Sequence, residues 1–200
     1  MNYLYNKKIT YIFGDGRKDK LVSKKQFAKE FFYSYFEFKS NCRELNIIEF
    51  KENNNPYLVF VDKILRKITN LSFYIDNIYN SKNKKLLKNS DIIIATNDRL
   101  GLSALPILIP RGKKKYKSFV FVMGLLSNKP TNIIKKFTNK FFLSIFLKTF
   151  DKLIFLGKPE YEKAISKYSK HKNKLVFLPF SIDTEFWNIE KQSEKKYDIL

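Results

Sequence analysis

The sequence predicts an α/β protein: a Rossmann-like parallel sheet flanked by helices. Three observations carry this. Six short apolar runs recur along the chain, and most are apolar throughout, as strands buried on both faces are. Between them lie stretches with apolar residues at helical spacing. The two signals alternate, which is the pattern of βαβ units joined by right-handed crossovers.

The first predicted strand covers residues 9–13 and runs into Gly14-Asp15-Gly16. A first helix is expected from Ser23. Ser23 and Gln26 form a capping-box pattern, and Val22 with Phe27 stands at staple spacing. Phe27, Phe31, Tyr35 and Phe38 then make one apolar stripe. The second strand is residues 46–50. Asn55-Pro56 places a cap residue before a proline at the first helical position. Val61, Ile64, Leu65, Ile68, Leu71, Ile75 and Ile78 carry the helical spacing on over a long stretch. Strands at 91–96 and 119–123 follow, then a helix from about Thr131 to Thr149. The strands at 153–156 and 175–178 enclose a helix opening at Pro159. Glu160 and Glu162 lie in its first turn and Lys167 and Lys170 near its end, matching the helix macrodipole.

Residues 1–187 read as one domain, residues 188–196 as a polar linker, and Tyr197-Asp198-Ile199-Leu200 as the opening strand of a second domain that stops as it begins. Hydrophobic residues make up 44% of the chain, enough for a large core, so disorder is not the expectation. One cysteine, Cys42, permits no internal disulfide and points to a reducing compartment. One histidine, His171, and one cysteine exclude the common Cys/His zinc sites. No signal peptide or bilayer-spanning run is visible, and the chain reads as cytoplasmic. The formal charge of +20 attracts polyanions, although Lys-, Asn- and Ile-rich composition accounts equally well for lysines on solvated faces. The helix near 131–149 carries Lys135, Lys136 and Lys140 in its first half and is apolar in its second. With the basic loop 111–115 it suggests an anionic membrane surface, peripheral on the inner face. The plainer reading is a helix solvated at its start and buried at its end.

Ligands of open α/β sheets bind beyond the carboxyl ends of the strands. Gly14, Asp15 and Gly16 follow the first strand, where glycines let a ligand approach the backbone and a helix start offers amides to an anion. A plain turn is the alternative, because the third glycine of a dinucleotide fingerprint is missing. Asn97 and Asp98 follow the strand at 91–96, as substrate contacts or as a helix cap. Gly124 follows the strand at 119–123, with Ser127 nearby. Gly157-Lys158-Pro159-Glu160 reads as a helix start. His171 sits in a charged stretch with no orienting partner, and Cys42 has no sign of reactivity.

The last third, residues 151–157 followed by a helix from Pro159 and then by residues 174–187, resembles the retaining glycosyltransferases called group one or family four, of the GT-B architecture. In that family a strand and helix lead into a segment like IPxGVDxxxF, and here Pro179, Asp183 and Phe186 match it. Ser181 stands where the family has glycine or another small residue. The resemblance implies two facing Rossmann-like domains. The first, represented here, holds a glycan or lipid-linked acceptor. The second holds a nucleotide sugar, with no cofactor and no metal. It further implies that Gly14 and Gly16 approach the donor phosphates, that Asn97, Asp98 and Gly124 line the acceptor side, and that residues 179–186 form the interdomain segment. Many members carry a histidine after the strand matching 119–123. Met123-Gly124-Leu125 stands there instead, so no catalytic residue is assigned.

Two other classes compete. A basic nucleic-acid-binding domain fits the charge, but the aromatics fall on helical stripes and not on a strand platform, so no nucleic-acid partner is expected. A sugar-nucleotide epimerase of similar fold needs donor chemistry without an acceptor site.

Overall fold

The computed structural model describes residues 4–23, 27–109, 115–126 and 130–188. The predicted opening of a second domain at 197–200, most of the linker, Gln26, Ser127 and residues 111–114 of the basic loop lie outside these residues.

All six predicted strands form: β1 (Lys8–Phe13), β2 (Glu44–Glu49), β3 (Ile92–Ala95), β4 (Lys117–Val122), β5 (Lys152–Phe155) and β6 (Leu175–Phe177). They run parallel in the order β2-β1-β3-β4-β5-β6, a Rossmann-like α/β sheet. Alternate side chains of β1 part to opposite faces, as strand geometry requires. Ile12 joins Ile93, Val120 and Leu153 on one face. Tyr11 and Phe13 join Ile94 and Phe121 on the other.

The helices are α1 (Arg17–Val22), α2 (Tyr35–Lys39), α3 (Pro56–Thr69), α4 (Ser81–Lys88), α5 (Asp98–Leu108), α6 (Ile133–Thr149) and α7 (Lys158–Lys167). The Ile12 face receives α5, α6 and α7 through Leu100, Leu105, Phe146, Phe150 and Ala164. α5 comes closest: a Cβ added at Gly101 would stand 2.9 Å from Val120 Cγ2, 3.0 Å from Phe146 Cε2 and 3.2 Å from Phe150 Cζ. No periodic stripe announces this helix, because Leu100, Gly101, Leu102, Ser103, Ala104 and Leu105 are all buried and a helix buried all round has no polar face.

Two expected helices are corrected. The single helix from Ser23 does not form. A 3₁₀ turn at Lys29–Phe32 and the short α2 stand in its place, separated by Tyr33 (φ 51°) and Ser34 (φ 60°) in the left-handed region. The predicted stripe is broken accordingly. Phe32 and Tyr35 are buried, while Phe31 turns outward beneath the Arg17 guanidinium, 5.3 Å from its ring centre. Tyr11 fixes the turn by donating its hydroxyl to Tyr33 O at 2.8 Å. Aromatic packing against the sheet has overridden helical spacing here.

The second correction shortens α3. Its start is as predicted: Asn55 Oδ1 accepts from the N–H groups of Tyr57 and Leu58 at 3.1 and 3.2 Å, with Pro56 in the first turn. Its end comes at Thr69, because Asn70 is left-handed at φ 57°. Leu71, Ile75 and Ile78 therefore leave the helix and enter the core from a returning loop. Two buried carboxylates tie that loop down. Asp62 accepts from the N–H groups of Ile75 (2.7 Å) and Asp76 (3.0 Å). Asp76 accepts from the N–H groups of Asn53, Asn54 and Asn55 at 3.0–3.1 Å. Asn54 is left-handed, so these successive amides form a concave nest that an internal carboxylate fills.

Candidate functional site

In the order β2-β1-β3 the chain leaves β1 on one side and returns on the other, so a crevice opens between the carboxyl ends of β1 and β3. Gly14–Gly16 flanks it on the β1 side. On the β3 side, Thr96 donates both its N–H and its hydroxyl to Ile12 O, at 3.2 and 3.0 Å. A Cβ at Gly14 would meet nothing within 4 Å, and Gly16 holds φ +73°. Asp15 is exposed. The loop thus leaves its backbone open to a ligand. The helix start that follows is already partly engaged, however. α1 is six residues long, and the Lys18 N–H already donates to Glu49 Oε1 at 2.9 Å. A carboxylate from the end of β2 thus occupies one of its amides.

Asn97, Asp98 and Gly124 are brought together as one loop cluster. Asn97 caps α5 by accepting from the Leu100 N–H at 2.9 Å. Asp98 Oδ1 accepts from the Met123 N–H at 2.9 Å, beside Gly124 with its φ of +92°. Sequence reading missed the third partner. Glu160, read as part of a helix start, accepts from the Gly124 N–H at 3.1 and 3.0 Å and from the Leu126 N–H at 3.3 Å. Burial raises the Asp98 carboxyl above the usual carboxylate range; the Met123 N–H opposes this and Glu160 adds to it. Two carboxylates from different helices therefore fix the loop after β4.

The segment after β6, expected to lead between domains, folds back on the 3₁₀ turn at Lys29–Phe32. The Lys29 N–H donates to Asp183 Oδ2 at 3.0 Å. Glu30 accepts from the Asp183 N–H at 3.1 Å and from the Trp187 indole at 2.6 Å. Asp183 also caps the turn that follows it, its Oδ1 accepting from the Phe186 N–H at 3.3 Å. These bonds pull the Asp183 carboxyl below its ordinary range, the Lys29 amide contributing most.

This docking forms an open groove of about 200 Å³, one side of which is the segment containing Pro179 and Asp183. Tyr33, Ser34 and Glu37 form one wall, and Pro179, Phe180 and Ser181 form the other. Phe121 and Leu156, at the carboxyl ends of β4 and β5, close the base. A larger space of about 480 Å³, against Phe27, Lys29, Phe36 and Glu185, lies across the same segment. The groove and the β1–β3 crevice are different places at the carboxyl edge of the sheet.

Among the described residues no group of His, Cys, Asp and Glu is arranged to hold a metal ion. His171 is half-buried in the turn at Ser169–Lys174. Burial pushes the Cys42 thiol up, away from the thiolate. The chain matches no protein-family model, no curated protein and no solved structure.

Proposed function

We propose that this chain is the acceptor-side part of a retaining glycosyltransferase, which moves a sugar from a nucleotide sugar to an acceptor hydroxyl in glycan or glycolipid synthesis. The observation that carries the reading is the groove between residues 33–37 and 179–183. Its lining is of the kind that takes a sugar: aromatic faces from Tyr33 and Phe180 for the C–H surface, and hydroxyl and carboxylate acceptors from Ser34, Ser181 and Glu37 for the hydroxyl rim. The acceptor sits there, and not at Asn97, Asp98 and Gly124, whose side chains or amides are engaged in holding the β4 loop. The open backbone at Gly14 borders the crevice on the donor side. The nucleotide sugar is held chiefly by a second domain, without metal.

Saturation-transfer NMR with a panel of neutral mono- and oligosaccharides tests this on the chain itself. At least one saccharide should bind, and Glu37→Gln should weaken it about tenfold, the scale of one charge-assisted hydrogen bond. If no saccharide binds while polynucleotides bind with a steep salt dependence, the chain is a nucleic-acid-binding domain instead.

A further inference from the structure

The outer surface of α3 and α6 is apolar and basic at once. On α6, Ile133, Ile134, Phe137 and Phe141 are 83%, 70%, 74% and 54% exposed. On α3, Tyr57 and Phe60 are 73% and 61% exposed, followed by Ile64. The two helices are neighbours: Asn139 Nδ2 donates to Thr69 O at 2.8 Å, and Thr138 donates its hydroxyl to Ile68 O. Ile64 lies one turn before Ile68 and Ile134 one turn before Thr138, so the exposed side chains of α3 and Ile133, Ile134 and Phe137 of α6 lie on the helix-start side of this contact, with Phe141 just past it. Each helix follows a strand and leads antiparallel to the next, which places both starts at the carboxyl edge of the sheet.

Charge on this surface has one sign. Lys63 and Lys67 on α3 and Lys136, Lys140 and Lys148 on α6 are exposed. α6 contains no Asp or Glu, and the one carboxylate of α3, Asp62, is buried against the Ile75 and Asp76 amides. Contiguous exposed apolar side chains mark an interaction surface. A second copy is a poor partner, because the paired faces would set lysine against lysine with no carboxylate between them. An anionic bilayer satisfies both features. Acyl chains take the aromatic and aliphatic side chains, and phosphate headgroups take the lysines.

We propose that the α3–α6 surface docks on an anionic membrane, with Ile133, Phe137 and Phe141 inserted and the flanking lysines at the headgroups. This stands apart from the transferase reading, and its test involves no sugar. Flotation of the chain with phosphatidylcholine vesicles, with and without phosphatidylglycerol, measures the partition. Binding is expected only with the anionic lipid and should fall as salt is raised. Ile133→Ser/Phe137→Ser should lower the partition about thirtyfold or more. Lys136→Gln/Lys140→Gln should lower it by roughly fivefold per lysine. All four positions are solvated, so the circular dichroism of both variants should match the parent chain. No flotation with anionic vesicles at low salt overturns the proposal. So does flotation that both double variants leave unchanged, and so does a lipid-independent dimer, seen by sedimentation, that Ile133→Ser/Phe137→Ser dissolves.

Discussion

Replacing Glu160 with alanine strips the loop after β4 of its main acceptor. Two backbone N–H groups, Gly124 at 3.0–3.1 Å and Leu126 at 3.3 Å, lose a carboxylate partner. A hydrogen bond to a charged group contributes about 1.5–3 kcal/mol. The half-buried position of Glu160 argues for the low end of that range for each bond. Its place in the first turn of α7 adds roughly 0.3–1 kcal/mol of macrodipole stabilisation. The Lys163 ammonium still donates to Leu126 O at 3.1 Å, so the loop is loosened and not released. The expected cost is about 3 kcal/mol, or roughly 6–12 °C in Tm for a chain of this size. Urea and thermal unfolding measure the cost. Amide exchange at Gly124 and Leu126 locates it, and those two amides should lose protection before the strands do. Glu160→Gln, which keeps one acceptor oxygen, should fall between. A Glu160→Ala chain within about 0.5 kcal/mol of the parent, with exchange at both amides unchanged, would refute the reasoning.

Asp98 gives a pH prediction. Its folded-state pKa is raised, by burial first. Folding therefore favours the protonated acid, and that contribution is present below the ordinary carboxylate range and lost as pH rises through the folded pKa. The stability difference between the parent chain and Asp98→Asn should move against the parent as pH rises above about 4. A flat difference, or one moving the other way in urea titrations, contradicts this. Gly101→Ala tests the closest helix–sheet approach. Alanine gains about 1 kcal/mol of helix propensity, but its Cβ would stand 2.9–3.2 Å from Val120, Phe146 and Phe150. Overpacking of this kind costs about 1–3 kcal/mol, and three core neighbours leave little room to relax. Tm should therefore fall, and a rise would show that the α5 contact yields.

The sheet was legible because buried parallel strands leave uninterrupted apolar runs, and all six runs became strands. The start of α3 was equally legible from Asn55-Pro56, whereas Asn80 and Asn132, whose side chains cap α4 and α6, went unread as caps. The end of α6 at Thr149 was legible too, but the end of α3 was not. Ile75 and Ile78 keep the spacing of α3 but belong to a loop, because burying an apolar side chain does not require that it come from a helix. Asn70, the residue that turns the chain, carries only a weak left-handed preference. Residues 23–38 failed for a related reason. Their phenylalanines and tyrosines fit a helical stripe, yet Tyr33 and Ser34 take left-handed backbone so that Phe32 and Tyr35 can pack on Tyr11 and Phe13.

The candidate site was illegible for a different physical reason. A motif is a local pattern, whereas the groove is made by residues about 150 positions apart whose only link is tertiary. Lys29 and Glu30 belong to no motif in the sequence. Their meaning comes from Asp183 and Trp187, which they bind. The same bonds constrain how the site can work. Asp183 and Trp187 hold the chain against the 3₁₀ turn, so Pro179–Ser181 is stretched between β6 and that anchor as one wall of the groove. A change that loosened Glu30 would open the groove without touching its floor at Phe121 and Leu156. In a two-domain transferase that wall is also the segment leading toward the donor side. On the proposed reading, the shape of the acceptor pocket would depend on Glu30 twice, as a residue of its lining and through its bonds to Asp183 and Trp187.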